Sequence, residues 1–250
     1  RLSMNDNTYT LIYAAVVCFI CSFLLAFFAM WLKPKQERAA QLDLNKKLLA
    51  VVGLYQNGMS DEEVERVFNN QITEEVIDRN GQIVSNFKSF AEVPERERCE
   101  LLETGSETNP QDCKLSVFKR MDNSELVSMA IPIKGKGLWS TLYGFLALSP
   151  DANTVSGVTF YKHAETPGLG AEISKDWFQN NFVGKKILDQ EGGLYGVVVA
   201  KGKAKDTAHP TEHVVDGISG ATITANGVTK LIKHCAMIYA PYLAQFRKEE

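Results

Sequence analysis

The chain reads as an α+β protein: a single N-terminal transmembrane helix followed by a mixed, mainly antiparallel β-sheet domain with flanking helices. Three observations lead there. An uncharged apolar run fills residues 9–32. Strand-like segments then succeed one another between residues 115 and 200, each closed by turn residues. Helical patterns stand before and after that run instead of alternating with it, which favours α+β over a doubly wound sheet. With 250 residues, 45% of them hydrophobic and 23% charged, the chain can bury a core in one domain or two small ones.

The first element reads YTLIYAAVVCFICSFLLAFFAMWL. At about 1.5 Å of rise per residue it is long enough to cross a hydrocarbon layer of roughly 30 Å. Tyr9 and Tyr13 near one end and Trp31 at the other suit the two membrane interfaces. The rival reading is a cleaved signal peptide. The run exceeds the usual signal core of about 7–15 residues and no small-x-small site follows it, so a retained anchor is expected. Residues 1–8 would then be a cytoplasmic N-terminus, 33–112 a stalk helix with the first part of the soluble domain, and 113–250 its second part. Lys33, Lys35 and Arg38 follow the span and Arg1 precedes it, a count that by itself puts the large domain in the cytoplasm. The chain begins at Arg1 rather than Met, which leaves that count open.

After Pro34, residues 36–55 carry an apolar face through Ala39, Leu42, Leu49 and Val52, with Asn57-Gly58 as the stop. Ser60 and Glu63 match a capping box, opening a helix that turns Val64, Val67 and Phe68 to one side. Asn80-Gly81 between apolar pairs predicts a hairpin turn. Residues 90–112 are charged and turn-rich and read as an excursion. Strands are expected at 115–118, 126–133, 143–148, 155–161 and 194–200, and a short helix at 176–182. The last helix is expected from Ala225 towards Gln245, bent or broken at Pro241.

The formal net charge of −3 is spread along the chain without a basic cluster, which excludes nucleic acid as a main partner. Of five cysteines, Cys18 and Cys21 fall in the span and Cys235 in an apolar helical stretch. Cys99 and Cys113 lie in the polar excursion and can pair if the domain lies outside the cytoplasm. His209 and His213 stand four apart around Glu212, but Pro210 spoils a helical face and no third ligand is near, so no metal site is expected. His163 falls at a strand end and His234 in the last helix. No catalytic triad or carboxylate pair is expected.

The chemistry concentrates in DGISGATIT, residues 216–224, between Val214-Val215 and the last helix. Gly217 and Gly220 allow tight turns and close approach of a ligand. Ser219, Thr222 and Thr224 bring hydroxyls to the start of a helix, where free amides and the helix dipole favour a phosphate. By residue chemistry alone this is a phosphate-binding turn or an ordinary loop with a threonine cap, and the two stay open.

Asp216, Gly217, Ser219, Gly220, Ala221 and Thr222 resemble the Asp-Gly-x-Ser/Thr-Gly-Ala-Thr signal of flavin subunits in respiratory sodium pumps and Rnf complexes. Gly135–Gly144, which includes Leu138, Trp139 and Ser140, and the Glu165-Thr166-Pro167-Gly168-Leu169-Gly170 segment are similar to the NqrC family, the C subunit of the sodium-translocating NADH:quinone oxidoreductase. The resemblance covers most of the chain and is strongest over residues 131–230. It implies FMN attached covalently through its phosphate to Thr222 by a flavin transferase that uses FAD, and it makes 113–250 the FMN-binding part. Asp216 would position or deprotonate the Thr222 hydroxyl. Leu138 and Trp139 would wall the isoalloxazine ring, although Trp139 read without the resemblance is an ordinary core aromatic. Thr166 and the Gly168-Leu169-Gly170 turn would supply amide donors.

The family's complex oxidises NADH, reduces a quinone and exports sodium. This chain would be a non-catalytic subunit of that enzyme in the bacterial inner membrane. It would take electrons singly from an iron centre and pass them to the FMN of the B subunit, in contact with A, B, D, E and F subunits and lipid. The tether makes sense if the domain faces the periplasm, against the charge count. Two rivals are an Rnf-type flavin subunit and a membrane anchor or assembly subunit whose phosphate-like turn holds nothing.

Overall fold

The computed structural model describes residues 6–103, 109, 110 and 112–247. The flank before residue 6, including Arg1, and residues 104–108 and 111 of the excursion lie outside the described residues. The chain forms two compact units, 1–44 and 45–250.

Helix α1 (Asp6–Val51) supplies all that is described of the first unit and the opening of the second. It runs through Pro34 without a break. Phe19, Leu25, Met30 and Trp31 are exposed along it. Among the described residues it is the one helix long and apolar enough to cross a membrane.

In the second unit α1 ends at Val51, four residues before Tyr55, the last residue expected in that helical stretch. Gly53 takes φ +76°, and the Leu54 and Tyr55 amides both donate to the Leu49 carbonyl, 2.8 and 3.1 Å away, closing the helix end. Helix α2 (Asp61–Gln71) has the expected capping box, with Glu63 N–H donating to Ser60 Oγ and Ser60 N–H to Glu63 Oε2. Strand β1 (Ile72–Asp78) follows at once. It went unpredicted because Thr73, Glu74 and Glu75 interrupt its apolar pattern, although Val76 and Ile77 are buried. Asn80-Gly81 does form a turn, and the returning chain makes a single bridge from Ile83 to Ile77.

Strands β2 (Lys114–Asp122), β3 (Glu125–Lys136), β4 (Thr141–Leu148) and β5 (Val155–Lys162) join β1 in one antiparallel sheet of order β1-β2-β3-β4-β5. The segments 33–112 and 113–250 thus share this sheet through β1. After helix α3 (Asp176–Gln179), β6 (Val198–Val199) and β7 (Val214–Val215) form a separate parallel pair, so the sheet content is mixed and mainly antiparallel. The strand expected over 194–200 shrinks to two residues. Leu194 bridges Leu188 instead, and Gly196 turns the chain with φ +83°.

The long helix α4 (Thr222–Leu243) begins three residues earlier than expected and continues through Pro241. It lies on one sheet face, where Val228, Leu231, Ile232, Ala236 and Tyr239 join a core with Met129, Ile131, Ile133, Leu146 and Phe160. Cys235 is in that core, and burial pushes its thiol up to about 12. Two glycines let helix and strand touch: a Cβ on Gly135 would collide with Leu231, and one on Gly227 with the Lys136 carbonyl. The far end of α4 is fixed by Tyr239 Oη donating to Ser116 O at 3.0 Å and Tyr242 Oη to Glu75 Oε2 at 2.7 Å. Cys99 and Cys113 form a disulfide that closes the excursion onto the sheet.

Candidate functional site

The connection from β3 to β4 is a tight turn in which Gly137 N–H donates to Ser140 O at 2.8 Å. This leaves Leu138 and Trp139 at its tip, Trp139 with 70% of its surface exposed. The turn's other amides all point at one carboxylate. Leu138 N–H donates to Glu165 Oε2 at 3.2 Å, and Trp139 and Ser140 N–H donate to Oε1 at 3.0 and 3.1 Å. Ser140 Oγ accepts from the Ala164 amide at 2.7 Å, which draws the chain leaving β5 against the same turn.

Glu165 is only 5% exposed, and burial works against its charge. The Thr224 hydroxyl, which donates to Oε2 at 2.5 Å, and the amides of Trp139, Ser140 and Leu138 overcome that and hold the carboxyl below its usual range. The space around it is made by missing side chains. A Cβ on Gly137 would lie 2.6 Å from Glu165 Oε1, and one on Gly170 would lie 2.9 Å from Oε2 and 2.7 Å from Thr224 Oγ1.

The segment preceding α4 reaches the same place. Gly217 donates to Gly202 O at 2.8 Å and has the Ala200 carbonyl where a side chain would stand. Asp216 accepts from Lys203 Nζ at 2.7 Å and from the Ala204 amide at 2.8 Å, and those two bonds, the amide first, lower its pKa. Gly220 takes φ +73°, and a Cβ there would lie 2.8 Å from Leu169 Cδ2, so the 216–222 and 165–170 segments are in contact. Ala221 is buried and gives α4 no side-chain cap. Thr222 is the first residue of the helix and is exposed; Ser219 is exposed too.

The structure therefore gathers all three segments named from sequence. Leu138, Trp139 and Ser140 sit on the β3–β4 turn, Thr166 to Gly170 on the turn after β5, and Asp216 to Thr222 before α4. Within the second turn Leu169 N–H donates to Thr166 O at 3.1 Å, which occupies one of the amides expected to face a ligand. Trp139, open to sequence reading as a core aromatic, is a surface residue. Thr224 was read from sequence only as a hydroxyl at the helix start and Glu165 only as the head of its segment, while Ile223 was given no role; the bond between Thr224 and Glu165 was not foreseen. A lone glutamate at a strand end has no periodic signature, and its function shows only when its partners fold around it.

The donor set suits a flavin phosphate. The first amides of an α-helix lack intrahelical partners, no side chain caps these, and the helix dipole places positive potential there. Leu138, Trp139, Leu169 and Ile223 are exposed large apolar side chains around this end, as a ring needing flat apolar contact would require. A groove of about 480 Å³ runs beside them between β3 and α4, lined by Lys136, Gly137, Ile223 and Asn226 among others.

Residues 137–236 match the FMN-binding domain family. Over nearly its whole length the chain is similar to the C subunit of the Na(+)-translocating NADH-quinone reductase of Pseudomonas aeruginosa, with 35% identity covering 92% of this chain and 91% of that protein. The Haemophilus ducreyi C subunit is 34% identical, with 99% and 97% covered. Among solved structures, the C subunit from Parabacteroides distasonis superposes with a TM-score of 0.70 at 29% identity, covering 88% of this chain and 98% of that one. The Shewanella oneidensis NqrC structure gives 0.70 at 25% identity, covering 84% and 99%. The chain belongs to the NqrC family, the C subunits of the Na(+)-translocating NADH-quinone reductases, and carries that family's FMN-binding domain.

Proposed function

We propose that the chain is a membrane-anchored flavoprotein subunit that holds FMN covalently through Thr222 and relays electrons singly from an iron–sulfur centre to the FMN of the B subunit in a sodium-pumping NADH:quinone reductase. The observation that carries this reading is exposed Thr222 opening α4, whose N-cap Ala221 supplies no side-chain bond, beside exposed Leu138, Trp139, Leu169 and Ile223, inside the region that matches the FMN-binding domain.

FMN supplies the redox chemistry when bound, and the protein supplies attachment, orientation and surroundings. Thr222 offers the oxygen that bonds to the flavin phosphorus as the pyrophosphate bond of an FAD donor breaks. AMP leaves, and the hydroxyl proton passes to a base on the transferase. The amides opening α4 hold the phosphate charge. Gly217 and Gly220 keep the backbone close, and Ser219 and Ala221 complete the turn. Asp216 holds that turn through Lys203 and Ala204; with both its oxygens engaged and its pKa lowered, it suits positioning better than proton abstraction. Leu138 and Trp139 wall the ring, Ser140 closes the turn that carries them, and Thr166, Gly168, Leu169 and Gly170 shape the opposing turn.

Residues 9–32 anchor the chain in the inner membrane, and 113–250 bear the flavin. The Cys99–Cys113 disulfide supports a periplasmic domain, since such bonds persist in oxidising compartments. There a covalent tether prevents loss of FMN. Partners are the A, B, D, E and F subunits, the flavin transferase during maturation, and lipid. Thr222→Ala tests the attachment: in-gel flavin fluorescence should vanish while the protein still accumulates in membranes, and persistent fluorescence would sink the assignment.

A further inference from the structure

Thr224 departs from what its position leads one to expect. A threonine in the first turn of a helix commonly serves the helix itself, yet this hydroxyl donates to Glu165, 59 residues away in sequence. Thr224 is 1% exposed and Glu165 5%, so neither meets solvent. Through one carboxylate the helix that begins at Thr222 is bonded to the turn that carries Leu138 and Trp139. A buried carboxylate without a cation partner is costly, and it persists only where donors saturate it. Here three amides, the Thr224 hydroxyl and, at 3.5 Å, the Ser140 hydroxyl do so, and Gly137 and Gly170 leave the room.

Resting on Thr222 as the acceptor, we propose that Glu165 and Thr224 are a pair of positioning residues: their hydrogen bond sets the placement of the Leu138–Trp139 wall against the Thr222 hydroxyl. Neither residue needs to touch the flavin. The three amides fix the turn to Glu165, and Thr224 fixes Glu165 to the helix two residues past the acceptor. With the bond cut, each part keeps its own internal bonds, but the angle between wall and acceptor is no longer held. Buried hydrogen bonds to charged groups are among the stronger ones, so losing this one leaves a real freedom at the site.

Thr224→Val removes the hydroxyl at nearly constant volume, and Thr224→Ser restores it. Each is made in the full-length membrane protein and co-expressed with the flavin transferase. Thermal unfolding, covalent flavin by intact mass, and the visible circular dichroism of the attached flavin are then measured. In the valine protein we expect a cooperative melt, flavin attachment slowed by about tenfold, and an altered flavin dichroism; the serine protein should return both to wild type. Wild-type attachment and dichroism in the valine protein would overturn the proposal, and so would a loss of attachment that only tracks a lost melt. A companion measurement uses Thr222→Ala protein, which needs no flavin. With Trp31 and Trp177 replaced by Phe, adding Thr224→Val should lower the fluorescence anisotropy of Trp139, and an unchanged value would count against the proposal. Wild-type protein without covalent flavin would instead defeat the Thr222 assignment, leaving the anisotropy result to judge the pair.

Discussion

The hydroxyl of Thr224 lies 2.5 Å from Glu165 Oε2, joining the first turn of α4 to the chain that leaves β5. Around this bond the exposed Thr222, the exposed Trp139 and the glycines of two turns are brought to one place. A residue with such partners should show its protonation state in the stability of the fold.

Glu165→Gln should cost about 2 kcal/mol at neutral pH, because an amide cannot accept from both Leu138 and Thr224 on one side and from Trp139 and Ser140 on the other. The folded-state pKa lies below the ordinary 4.5, so ionised Glu165 favours the fold. Its contribution is complete above that ordinary value and fades as pH falls through the folded-state pKa. Urea unfolding of both proteins across the acid range should show the gap closing; a gap constant with pH would contradict the linkage.

Replacing Cys99 and Cys113 by serine should destabilise the soluble unit by about 3 kcal/mol, since the bond closes a short loop against the sheet. Urea unfolding of oxidised wild type, reduced wild type and the double variant measures this. Reduced wild type should behave like the double variant.

Gly227→Ala should destabilise by about 1–3 kcal/mol despite the better helix propensity of alanine, because the new methyl meets the Lys136 carbonyl in the seam between α4 and β3. Gly202→Ala is the control: nothing lies within 4 Å of its Cβ, and its unfolding midpoint should stay near wild type.

The sequence carried the elements whose patterns are local. The apolar run over 9–32 falls within one helix, and the Ser60–Glu63 capping box and four of the five main strands appear close to where they were expected. Strand β1 escaped because its charged residues break alternation, and the strand over 194–200 was over-read because apolar residues there serve bridges and turns. At the site, the glycines and hydroxyls of DGISGAT left a phosphate turn and an ordinary capped loop both open, and the family resemblance singled the segment out. Glu165 stayed silent because its partners come from distant segments. The pairing of Cys99 with Cys113 was left conditional on a domain outside the cytoplasm, since two cysteines in a polar stretch carry no information about distance; the structure forms it.

Protection of the domain on membranes tests the orientation. In intact spheroplasts external protease should cleave the region from residue 45 onward, while complete protection would place it in the cytoplasm, as the flanking charges alone imply.

The most direct measurement is the intact mass of the purified full-length chain, followed by mapping of the modified peptide. A single increment equal to one phosphate-linked FMN is expected, confined to the peptide that contains Thr222. An unmodified mass after co-expression with the transferase, or a flavin mapped to any other peptide, would contradict Thr222 as the site of attachment.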